Sequence, residues 1–121
     1  LITNGGGLNP AACSRAVRQI LNEGGCERII VAVVTGDDVL DQLANDSGET
    51  SSFCNLDTHE PLSLVQSRLV TANAYLGSQP IAEALACGAD IVITGRVADP
   101  SLTVAACAHF HAWSWDDWSR L

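Results

Sequence analysis

The stretch "ADIVITGRVADPS", residues 89–101, decides how the chain folds. Its first half, "ADIVI", is a short apolar run rich in β-branched residues. That texture suits a strand buried on both faces, as in parallel sheets. A glycine turn follows at Gly95, and Asp99-Pro100 then opens the apolar run "LTVAACAHF", which reads as a helix. Between strand and helix stands Arg96, in a chain with only six cationic residues.

The same texture recurs upstream. "LIT" (1–3) reads as the end of a strand. "NPAACSRAVRQILNEGG" reads as a helix capped by Asn9, with Pro10 in its first turn and Gly24-Gly25 at its end. Its apolar face is expected at Cys13, Val17, Ile20 and Leu21. "RIIVAVV" (28–34) reads as a second buried strand, and "TGDDVLDQLAND" as a turn and a short helix. Residues 45–66 are polar and without period: a long loop, with room for a hairpin. "SRLVTANAYLG" (67–77) reads as a strand entering a turn, and "QPIAEALACG" (79–88) as a helix. "SWDDWSRL" begins a last helix with Ser114 as its N-cap. Three helices are thus expected to open on a polar residue and proline: Asn9-Pro10, Gln79-Pro80 and Asp99-Pro100. Strands alternating with helices give an α/β fold, a Rossmann-like three-layer arrangement around a mainly parallel sheet of about four strands. At 121 residues, the chain fits a single α/β domain, 1–121.

Composition narrows the function classes. The formal charge is −8 and the six cations are all arginine. Without lysine there is no Schiff base, phosphate-loop lysine or lysine general base. Without a basic stripe the chain is a poor nucleic-acid ligand. No apolar run reaches the roughly 18 residues of a membrane span. No signal peptide opens the chain, and the expected location is cytoplasmic. The five cysteines, Cys13, Cys26, Cys54, Cys87 and Cys107, are scattered and read as reduced thiols. His109 and His111 are two apart, and His59 sits in the loop, so no zinc-site spacing arises and no metal is assigned. Trp113, Trp115 and Trp118 read as packing residues.

In open parallel sheets ligands bind beyond the carboxyl ends of the strands. Those ends carry Asn4, Gly5, Gly6, Gly7 and Asn9; Thr35, Gly36, Asp37 and Asp38; Asn73, Tyr75, Gly77 and Ser78; and Thr94, Gly95, Arg96, Asp99 and Ser101. Four ends are expected to converge on one edge. "NGGGLNP" (4–10) fails the dinucleotide fingerprint, because Pro10 stands at the sixth place. It reads either as an anion site of backbone amides or as a tight turn. No cofactor motif is visible and none is assigned. Of Asp37 and Asp38, one is expected to cap the following helix and the other to face the cleft. Arg96 reads either as a bidentate holder of a carboxylate or phosphate, or as a salt-bridge partner of Asp99 or Asp38. Asp99 reads as the N-cap before Pro100.

The motifs "ITNGGGLNPAAC", "VAVVTGDD", "EPL", "ANAYLG", "GADIVITGRVADPSL" and "WSWDDWSRL" together resemble the acyclic terpene utilisation family, nearly end to end. The resemblance implies a place in catabolism of acyclic terpenoids such as citronellol and geraniol, through acyl-CoA intermediates. It implies that the chain is an excerpt of a longer N-terminal domain, beginning inside one motif and stopping inside a helix. It departs from the family at Gly5, usually alanine, at His59, usually glycine, and at Pro100, usually a less restrictive small residue. The family's motifs fall on Asn4, Gly6, Asn9, Asp37, Asp38, Asn73, Tyr75, Gly77, Arg96 and Asp99.

Two functions are open on this reading. In the first, the chain carries an active site, with Asp37, Asp38, Arg96 and Asp99 as the candidate catalytic group. Asn4, Gly5, Gly6, Gly7, Asn9, Asn73, Tyr75, Gly77, Thr94 and Gly95 then bind the ligand with Arg96. The substrate is a small molecule, an acyl-CoA or related branched acid. Acid–base chemistry such as hydration is the cheapest fit. In the second, the chain is a binding or assembly subunit, or a fragment inactive alone. Self-association, or a partner joined through sequence outside the chain, stays open.

Overall fold

The computed structural model describes residues 1–45 and 53–121. The chain divides into two compact units, one of Leu1–Asp37 with Tyr75–Leu121, the other Asp38–Ala74.

The first unit is built on a parallel sheet of three strands: β1 (Ile2–Thr3), β2 (Val31–Val34) and β3 (Ile91–Thr94), in the order β1-β3-β2. β3, taken from the stretch quoted above, is the central strand. Ile2 and Ala32 flank Val92, and Thr3 and Val33 flank Ile93. Successive side chains point to opposite faces of a sheet, yet Val92 is 0% and Ile93 1% exposed. Both faces of β3 are therefore covered, which is why its sequence is apolar throughout.

Helices supply the cover. α1 (Pro10–Glu23) packs against β2 and β3. α3 (Gln79–Ala86) packs against the same two strands and against α4 (Ser101–His111). The core gathers Val34, Ile81, Ala82, Val92, Val97 and Ala105, with Trp115 packed against it. Among the described residues no helix is long and apolar enough to cross a membrane.

The α1 boundaries follow from its ends. The Asn9 side chain accepts from the Ala12 amide at 2.9 Å, and Pro10 takes the first position. At the other end Gly25, with φ +67°, lets the Cys26 amide reach back to the Leu21 carbonyl at 2.8 Å. The buried face is not quite the one expected. Pro10 and Ser14 are buried, whereas Ile20 is 68% exposed. The residues that turn inward lie three and four apart, at 10, 14, 17 and 21, and Ile20 sits off that line.

Other expectations need correction. Residues 67–77 form no strand of the sheet, so the sheet has three strands rather than about four. Gln66–Arg68 is a single 3₁₀ turn, and Leu76 alone joins the sheet region, through a parallel bridge to Val97. Residues 114–121 form successive turns rather than a helix. Ser114 does cap, accepting from the Asp116 amide at 3.3 Å, but the turn it starts is not propagated. Of the three polar-proline starts, Asp99-Pro100 is the one that shifts. α3 begins at Gln79, as expected, with Pro80 in its first turn, and α4 begins after Pro100, at Ser101.

The second unit contains α2 (Leu40–Ala44) and two 3₁₀ turns, Leu62–Leu64 and Gln66–Arg68. Part of the loop expected at 45–66, residues 46–52, lies outside the described residues. Beyond it a tight hairpin-like loop closes between Cys54 and Pro61. Asn55 organises it: its side chain accepts from the Asp57 and Thr58 amides, and its own amide donates to the Glu60 carbonyl at 2.8 Å. The loop puts His59 at φ +60°. That is the left-handed region where glycine is at ease and other residues are strained.

Candidate functional site

The carboxyl ends of β1, β2 and β3 lie side by side in the first unit, and two glycines set how closely. At the end of β1 the chain turns through Asn4, Gly5, Gly6 and Gly7. A Cβ on Gly6 would lie 2.7 Å from the Pro10 Cβ and closer still to the Thr94 carbonyl oxygen. Only glycine lets this turn rest on the end of β3. Gly7 takes φ +54°, a second requirement for glycine in the run. Gly5 has a milder constraint, with the Thr3 hydroxyl 3.1 Å from where its Cβ would stand.

Three amides of this turn are used within it. Gly5 donates to Thr3 Oγ1 at 3.0 Å, Gly7 to the Asn4 carbonyl at 3.2 Å, and Asn9 to the Gly6 carbonyl at 2.9 Å. Of the two readings of "NGGGLNP", this geometry favours the tight turn: a phosphate cradle needs amides pointing outward.

β2 and β3 meet through Asp37 and Gly95. Asp37 is 3% exposed, and its carboxylate accepts from the Arg96 amide at 2.9 Å. A Cβ on Gly95 would lie 2.5 Å from the Asp37 Cγ. Thr94 is fully buried, its hydroxyl donating to the Gly95 carbonyl at 3.0 Å. Thr94, Gly95 and Asp37 are thus a closed floor.

Arg96 stands above that floor and is exposed. Its guanidinium donates to the Tyr75 hydroxyl and lies 4.9 Å from the centroid of the Tyr75 ring. Tyr75 reaches it because residues 75–78 run alongside residues 96–98. The Leu76 amide donates to the Arg96 carbonyl at 3.1 Å, and the Ala98 amide to the Leu76 carbonyl at 3.0 Å. Ser101, which sequence reading placed at this edge without a role, is 3% exposed, and its hydroxyl donates to the Leu76 carbonyl.

The salt bridge from Arg96 to Asp99 is not formed. Nor does Asp99 cap α4: the capping position is Pro100, with no side-chain capping bond, and Asp99 is exposed. Pro100 takes φ −72° and ψ −14°, and the helix starts at the next residue, Ser101. Asp38 accepts from the Leu40 amide at 3.0 Å, a turn just ahead of α2, but the capping position is Val39, with no side-chain capping bond. Asp38 and Asn73 belong to the second unit, where they pair in an antiparallel bridge. Contacts in the first unit join Gly6 to Thr94, Asp37 to Gly95 and Arg96, and Tyr75 to Arg96; Asn4, Gly5, Gly7, Asn9, Gly77 and Asp99 lie in the same unit.

Fold and strand ends define a parallel α/β protein with a glycine-built crevice edge crowned by one arginine. The chain belongs to the acyclic terpene utilisation family: the model for "Acyclic terpene utilisation family protein AtuA" matches residues 1–121. The resemblance carried by "GADIVITGRVADPSL" and "WSWDDWSRL" is borne out, and the role of the chain lies in acyclic terpene utilisation. No curated protein and no solved structure matches it.

Proposed function

We propose that the edge above Asp37 and Gly95 binds the anionic end of a branched acid or its CoA ester, and that Arg96 holds it. The observation that carries this reading is the exposed Arg96 guanidinium, oriented by Tyr75 rather than neutralised by Asp99. A planar guanidinium offers a carboxylate or phosphate two parallel donors, and Tyr75 fixes its plane beforehand. Asp37, buried and bonded to the Arg96 amide, sets where Arg96 stands and acts as a positioning residue.

Asp99 is the group suited to move a proton. It is exposed, caps nothing and lies three residues from Arg96. Acid–base chemistry on an α,β-unsaturated acyl group fits this set. In hydration, a base takes a proton from water, the oxygen bonds to the β-carbon, and a proton is delivered to the α-carbon. The protein would act in the cytoplasm, where acyl-CoA esters are found. The test is incubation of the protein with a terpenoid enoyl-CoA in heavy-oxygen water. The reading expects label at the β-carbon, abolished by Asp99→Asn. Unlabelled, unchanged ester would reject the catalytic part and leave a binding role.

A further inference from the structure

A second feature of the first unit has no part in the account so far. A groove of about 560 Å³ opens where α3 and α4 begin. Gly77, Pro80, Pro100, Val104, Trp115 and Trp118 are among its walls. Among the described residues no acidic or basic side chain lines it. The chain carries −8 overall, so an uncharged wall of this size is out of keeping with its surface. Trp115 is anchored against the core, whereas Trp118 is 83% exposed. An exposed indole beside two prolines is apolar area without cover, the kind of surface that marks a binding site.

The groove continues the two segments that carry the anion site. Tyr75 and Arg96 flank the Leu76–Val97 bridge. Two residues beyond Tyr75 is Gly77, and four beyond Arg96 is Pro100, both in the groove wall. A molecule with its anionic end on Arg96 meets this groove further along the same pair of segments. We propose that the Trp115–Trp118 groove receives the uncharged, branched hydrocarbon chain of the acid that Arg96 holds. Trp118 is the residue that selects for chain over a bare acyl group. The proposal rests on the anion-site reading above. It adds where the chain lies and what recognises it: broad indole and proline faces, with Ser78 and Gln79 the polar side chains in the wall. Such faces suit methyl branches, which present volume and no polar atom.

The groove and the anion site are tested separately with three probes: citronellic acid, citronellol, which has the same chain without the carboxylate, and acetyl-CoA, which has the anion without the chain. Dissociation constants are measured by calorimetry on the wild type, Trp118→Ala, Trp118→Phe and Arg96→Ala. The proposal expects Trp118→Ala to weaken citronellic acid and citronellol about tenfold each, the scale of one lost aromatic contact. Acetyl-CoA stays unchanged, and Trp118→Phe keeps most of the affinity. At 83% exposure Trp118 is not part of the core, and unchanged melting of the variants verifies this. Arg96→Ala should weaken the acid and acetyl-CoA but not the alcohol. If Arg96→Ala changes nothing while Trp118→Ala weakens both chain probes, the groove stands and the anion site falls. If Trp118→Ala leaves both chain probes unaffected, the groove proposal is overturned. The same holds if its sole effect is to dissociate a dimer, since the groove would then be a contact between copies.

Discussion

Asp37 and Gly95 share one space: the carboxylate at the end of β2 occupies the position a side chain on Gly95 would need, 2.5 Å from Cβ to Cγ. The Arg96 amide, one residue on, donates to the same carboxylate at 2.9 Å. This lock sets the spacing of two strand ends and the place of Arg96.

Gly95→Ala should therefore cost about 1–3 kcal/mol, the range for overpacking a tight interior, read by urea unfolding. Asp37→Ala leaves the Arg96 amide unsatisfied and should cost about 1–3 kcal/mol as well. The double variant removes both clash and carboxylate, so its cost should fall short of the sum. Strict additivity would show that the two residues are independent.

Gly6→Ala meets rigid neighbours, the Thr94 carbonyl and the Pro10 ring, and should destabilise by a similar amount. Gly77→Ala meets nothing within 4 Å and should stay within about 0.5 kcal/mol of wild type. Equal melting of the two variants would contradict the close approach at Gly6.

His59→Gly should stabilise. A left-handed non-glycine residue costs roughly 1–2 kcal/mol. Glycine returns about 0.5–1 kcal/mol of that as unfolded-chain entropy. The net gain is about 0.5–1 kcal/mol, measured by unfolding; a loss of stability would mean that His59 makes a contact that outweighs its backbone strain.

Asn9→Ala removes the side-chain acceptor for the Ala12 amide and should cost about 1 kcal/mol. The effect should appear as a lower melting temperature. Asn9→Ser, which can restore the acceptor, should recover most of it.

Much of this was legible in the sequence where one residue type answers one local need. The β-branched run 91–94 had to be a strand covered on both faces, and Asn9-Pro10 had to open a helix. The departure from the family's usual glycine at His59 was visible in the sequence, and φ +60° gives the physical reason for that glycine. What was not legible depended on distant partners. Residues 67–77 have strand-like composition, yet they make only two isolated bridges, Asn73 with Asp38 and Leu76 with Val97. Asp37 and Asp38 are adjacent and alike in sequence. The fold buries the first under Gly95 and leaves the second to accept from the Leu40 amide just ahead of α2. Trp115 packs on the core as expected, while Trp118 does not. Spacing of three residues places two indoles near each other without saying which faces inward.

The most direct test of the account is calorimetric titration of the wild type and Arg96→Ala with citronellyl-CoA, alongside thermal melting. Ligand at about 100 times its dissociation constant should raise wild-type stability by about 2.7 kcal/mol. Arg96→Ala should melt within about 1 kcal/mol of wild type, since it loses one exposed cation–π contact, and should bind the ester at least about tenfold more weakly. Equal affinity of the two proteins for the ester would contradict the assignment of Arg96 as the anion holder.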